Sequence, residues 1–176
     1  MNRDGRAEAA VLRVEALVDV IGRVTLYIAL VMIALVATNV LLRYAFSLGS
    51  VWAQELEWHL LAALILLGMS HALQRGDNVR VDLFYAGFSP RRKYLVELLS
   101  HGLLLAVALL LVKLSLGYVA QSFDIGERSA DPGGIPYRWA VKGLIPAGFG
   151  LLAVQTAAAM LRLVIEERQR RESVDA

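Results

Sequence analysis

The sequence predicts an all-α membrane protein of four transmembrane helices, with both termini cytoplasmic and a short interfacial helix in the middle loop. Three observations carry this. Four apolar stretches, at about 20–42, 52–73, 94–120 and 139–164, take up most of the 176 residues. A span needs roughly 20 mainly apolar residues to cross about 30 Å of hydrocarbon. The basic residues are sorted to one side of those stretches, and an even number of spans returns the chain to that side.

Composition agrees. Apolar residues make up 57% of the chain, against about 45–50% in soluble domains, and the mean hydropathy is +0.55. The first stretch carries no charge between Val24 and Leu42. The third and fourth each hold an interior lysine, Lys113 and Lys142, and the fourth also holds Arg162 near its end. The second stretch is the least regular, because Glu55, Glu57 and His59 sit in its first turns; three spans plus a re-entrant segment is the alternative there. Cysteine is absent, which excludes a disulfide framework, a thiolate metal site and a catalytic thiol. The first apolar run begins late and is too long for a signal-peptide core, so it is expected to be retained.

The N-terminal tail holds Arg3, Arg6, Arg13 and Arg23; the middle loop holds Arg75, Arg80, Arg91, Arg92 and Lys93; the C-terminal end holds Arg162, Arg168, Arg170 and Arg171. Only Arg43, Arg128, Arg138 and Lys142 belong to the other two loops and their flanks. Thirteen against four is a strong positive-inside bias, which places the loops at 43–52 and 121–138 outside. The net charge of +2 gives no reason to expect a nucleic-acid partner.

The organisation follows. Residues 1–19 form a cytoplasmic amphipathic segment suited to lying on membrane lipids, residues 20–165 the four-helix membrane domain, and residues 166–176 a cytoplasmic tail. Gly49-Ser50 makes a tight hairpin of the first two spans. Val81, Phe84, Tyr85 and Phe88 follow helical spacing, which predicts the interfacial helix. Ser89-Pro90 then predicts a helix start, with Arg91, Arg92 and Lys93 at the anionic inner leaflet. The third stretch is long enough that it must tilt or protrude. Asp131-Pro132-Gly133-Gly134-Ile135-Pro136 cannot continue a helix and forces a turn. Gly143, Ala147, Gly150, Val154 and Ala157 share one face of the fourth span, a small-residue strip suited to close helix packing.

Charges inside a membrane cost on the order of 2.5–3.5 kcal/mol at mid-span, so those present need partners. Arg43, Glu55, Glu57 and Lys113 are expected to form one structural cluster, Arg43 pairing with Glu55 across the hairpin and Glu57 with Lys113 between helices. An ion or proton path is the functional alternative, but it calls for more carboxylates, staggered in depth. His59, His71 and His101 raise a second alternative, a four-helix membrane cytochrome anchoring an oxidoreductase, with haem held between facing helices. A stand-alone small transporter or membrane chaperone is a third. Trp52, Trp58, Trp139, Tyr44 and Tyr137 form an aromatic belt. No nucleotide loop, His-Glu-x-x-His or activated serine is present, so neither an enzyme nor a cofactor is expected.

Specific residues narrow this further. Asn39-Val-Leu-Leu-Arg43-Tyr44-Ala-Phe46 is followed by Trp52-Ala-Gln-Glu55-Leu56, then Leu67-Gly68-Met-Ser-His71-Ala72-Leu73, Asn78-Val79-Arg80-Val81-Asp82, and Ile145-Pro146-Ala-Gly148-Phe149-Gly-Leu151-Leu152-Ala-Val-Gln155. This ordered set resembles the small, DctQ-like membrane subunit of tripartite ATP-independent periplasmic (TRAP) transporters, with Asn78 standing where that family frequently has His. The resemblance implies a multi-pass subunit of the bacterial inner membrane. Its partners would be a large permease subunit, which moves an organic anion, commonly with sodium, and a periplasmic solute-binding protein. The stretch from Asp131 to Trp139 looks like the branch associated with 2-oxoacids, mannitol or chloroaromatic compounds. On this reading the acidic loop residues Asp124, Glu127 and Asp131 are candidates for the binding-protein docking surface.

Overall fold

A computed structural model describes residues 3–76 and 87–175. Among the described residues the chain forms four helices: α1 (Arg3–Phe46), α2 (Val51–Arg75), α3 (Pro90–Asp124) and α4 (Arg138–Asp175). All four are long and apolar enough to cross a membrane. α2 runs unbroken through Glu55, Glu57 and His59, so the second stretch is a full span rather than a re-entrant segment. The interfacial stripe of Val81, Phe84 and Tyr85 lies outside the described residues.

Local chemistry sets the boundaries. Ser50 caps α2, its hydroxyl accepting from the Ala53 N–H at 3.3 Å. Gly76 closes the helix in the left-handed conformation, φ 73°, and donates to the carbonyls of Ala72 and Leu73. Ser89 is extended, as a residue before proline must be, and Pro90 opens α3. Between α3 and α4, the Gly134 N–H donates to the Asp131 carbonyl at 3.0 Å, with Gly133 at φ 82°. Proline at the second position and a positive-φ glycine at the third make this a type II turn.

The helices outlast the expected spans. At 1.5 Å per residue, the 44 residues of α1 and 38 of α4 reach about 66 and 57 Å. The described part of the 1–19 segment, from Arg3 onward, continues the first span as one rod and packs on the C-terminal extension of α4. Val11 (3% exposed) and Val18 (0%) seal that contact together with Ile165.

α4 is the hub. It packs on α3, α2 and α1, while α3 has no comparable contact with α1 or α2. The buried positions explain why. On α1, Val11, Val18, Thr25 and Asn39 are buried along a seven-residue line that also includes half-buried Met32. On α3, Ala108, Ser115 and Ser122 form a similar line. A seven-residue spacing keeps one seam facing a neighbour, so these two helices each bury a single stripe. α4 instead buries Gly148, Leu152, Ala153, Gln155, Thr156 and Ala158, which point several ways. Ala108, Leu152 and Ala153 form a core beside Met69, Leu73, Leu104, Leu105 and Phe149.

Close approach fixes two crossings. A Cβ on Gly148 would sit 2.5 Å from the Leu66 carbonyl oxygen, so α2 and α4 meet backbone to backbone. A Cβ on Gly22 would enter the ring of His71, which joins α1 to α2. The chain exposes 11847 Å2, against roughly 8,500 Å2 for a compact soluble protein of this mass. The excess is apolar, with leucine, valine and isoleucine exposed along every helix.

Candidate functional site

The densest polar construction lies where the first turns of α2 meet the 125–137 loop and the start of α4. Glu55, 4% exposed, sits one turn into α2. Its carboxylate accepts from the Ser129 hydroxyl, from the Ile135 N–H at 2.5 Å and from the Arg138 guanidinium at 3.1 Å. Three donors from one loop thus converge on one acidic residue more than seventy positions away. Gly134 completes the cradle, because a Cβ there would collide with Ser129 and Glu55. The guanidinium of Arg138 also lies 5.2 Å from the centre of the Trp58 ring. Beside this clasp Lys142 donates to Glu127 and stands 3.9 Å over the Tyr118 ring. The hydrogen bond from Lys142 holds the Glu127 carboxyl below the usual glutamate range.

The expected charge cluster is therefore divided. Glu55 pairs with Arg138 rather than with Arg43, whose guanidinium lies against the side-chain amide of Gln54. Glu57 accepts from the Asn39 amide at 2.8 Å rather than from Lys113. Lys113 is exposed on α3, with no ion pair among the described residues. The reason is rotation: α2 turns Glu55 toward the loop and Glu57 toward α1, and α3 reaches neither because α4 stands between. Of the loop acids, Asp124 and Asp131 are exposed while Glu127 is tied to Lys142. Ala147, Val154 and Ala157 of the small-residue strip are exposed, Gly143 and Gly150 are half-buried, and a Cβ on either glycine would meet open space. The strip is the uncovered face of the helix that is otherwise the most covered.

The other end carries a polar seam that sequence reasoning did not find. Asp19 lies 3.3 Å from Arg75 and 3.5 Å from His71. Gln74 donates to the Glu15 carbonyl at 3.2 Å, Arg162 pairs with Glu15 at 2.7 Å, and Gln169 donates to Glu8 at 3.2 Å. Further along α4, hydrogen bonds from Arg171 and Arg170 hold the Glu167 carboxyl below its ordinary value. The signal for this seam was the charged pattern of residues 6–19, read above as a lipid-facing one. The histidines do not form a facing pair. His71 meets Asp19 and Gly22 on α1, while His59 and His101 engage the carbonyls of Glu55 and Glu97 on their own helices at 2.6 and 2.8 Å.

The arrangement locks helices and a loop together; it does not stagger carboxylates through the membrane. A search of curated proteins gives no match. A family model, described as "Tripartite ATP-independent periplasmic transporters, DctQ component", matches residues 32–166. That family is one of inner-membrane transporter components rather than enzymes, and membership implies association with a large permease and a solute-binding protein. With well over half of its length matched and four helices able to cross the membrane, the chain belongs to the DctQ family and is a small permease component of a TRAP transporter.

Proposed function

We propose that this subunit braces the large permease of an organic-anion importer and supplies part of the surface on which the solute-binding protein docks. The observation that carries the proposal is the uncovered strip of Gly143, Ala147, Gly150, Val154 and Ala157 on α4. Small residues let helix backbones approach closely, and α4 is the element to which every other helix of this subunit is fastened. A partner helix seated there would be held by the whole subunit. The long, mutually packed rods favour a rigid support, against which another part of the permease moves. The loop at 125–137 faces the binding protein in this reading, offering Asp131 on a backbone held by Glu55, with Asp124 at the end of α3 beside it.

Ala147→Leu and Gly150→Leu test the brace. Neither side chain meets this chain's own core, so each variant should insert normally and lose several-fold in recovery of the large permease. Undiminished recovery removes the packing proposal. Lysine at Asp124 and Asp131 should weaken docking of the binding protein; unchanged affinity and uptake would remove that surface.

A further inference from the structure

The position of Lys113 asks for a counter-charge that none of the described residues provides. It lies about seven residues, or roughly 10 Å along the axis, from residue 120 at the nearer end of the expected span. The other end is about twice as far away or more. A lysine near a helix end ordinarily stretches its ammonium to the interface. Here the nearer end is the C-terminal one, and every Cα–Cβ bond in a helix tilts toward the N-terminus. The Cα–Cβ bond of Lys113 therefore tilts away from the closer water, so the stem must turn back to reach it. This holds whichever side of the membrane each end faces.

The surroundings of Lys113 are shaped for a helix. Ala106, Lys113 and Ala120 fall on one seven-residue line, flanked by Gly102 and Gly117, and all but half-buried Gly102 are exposed. A Cβ on either glycine would meet nothing within 4 Å. Exposed Leu109 and Leu116 fall on the same face between these residues, and exposed Leu103 and Leu110 border it. Resting on the assembly proposed above, we infer that the Gly102–Ala106–Lys113–Gly117–Ala120 track of α3 receives a membrane helix of the large permease bearing an aspartate or glutamate at the depth of Lys113. Exposed Leu109, Leu110 and Leu116 would pack against that helix while the four-carbon stem of Lys113 extends past them to its carboxylate. The ion pair would fix both the rotation and the register of α3 against the permease.

The test uses the co-expressed complex, purified through a tag on this subunit. Lys113→Glu should lower recovery of the permease at least tenfold, and Lys113→Arg should preserve it. A lysine replacing one membrane carboxylate of the permease should restore recovery with Lys113→Glu. If the unaltered chain recovers no permease, the assembly reading itself falls. If it does, and Lys113→Glu recovers as much, only the Lys113 inference falls. Because the chain has no cysteine, A106C gives a second reading with Lys113 intact: cross-links to the permease are expected. Cross-links only to another copy of this subunit, or none to protein, overturn the proposal.

Discussion

Glu55 shows how a single membrane carboxylate can organise a loop. Its partners Ser129, Ile135 and Arg138 all come from the α3–α4 connection, so its loss should free that loop without unfolding the helices. In Glu55→Ala, maleimide should label a cysteine at exposed Ala130 at least several-fold faster than in the parent chain; an equal rate would show that the clasp does not hold the loop. Glu127 adds a pH dependence. Its folded pKa is depressed by Lys142, so its contribution is present above the ordinary glutamate range and disappears as the pH falls through the lower, folded value. Trp139 fluorescence, in a chain with Trp52 and Trp58 replaced by Phe, should therefore change below the usual glutamate range, and Glu127→Gln should abolish that transition. The sequence made Glu55 and Glu57 visible as costly residues but could not name their partners. Adjacency across the 47–50 hairpin favours Arg43 on paper, whereas the rotation of α2 presents Glu55 to a segment 74 to 83 residues further along.

Element existence was far more legible, because four apolar runs of sufficient length leave few alternatives. Ser50 and Gly76 mark helix ends through capping hydrogen bonds, and Pro90 marks the start of α3, where Ser89 makes no side-chain cap. The lengths were less legible. Glu15 meets Arg162 and Glu8 meets Gln169 between helices that would otherwise end sooner, and that depends on α1 and α4 meeting. Spin labels at Glu8 and Gln169 should accordingly report one short, narrow distance, and Val18→Asp should broaden it; a long, broad distribution in the parent chain would restore the membrane-surface reading. Glycines separate in the same way. Gly148→Ala forces a methyl against the Leu66 carbonyl and should cost about 1–3 kcal/mol, the range for overpacking. Gly150→Ala meets open space and should leave the melting temperature of the isolated subunit unchanged. Both glycines lie in the same short motif; the sequence strip includes Gly150, while the close approach within this chain falls at Gly148.

On the scale of the whole molecule, the contacts bring both termini to one end and both hairpin tips to the other. Glu15 meets Arg162 at the first end, and Glu55 meets Arg138 at the second. From the arginine and lysine distribution the first end is expected in the cytoplasm. The role of this chain as a brace with an outward-facing loop depends on that assignment. Single cysteines at Ala10 and Ala130 test it in intact cells with a membrane-impermeant thiol reagent. The account predicts that A130C reacts at once and A10C only after the inner membrane is permeabilised; equal reaction of both from the same side would contradict it.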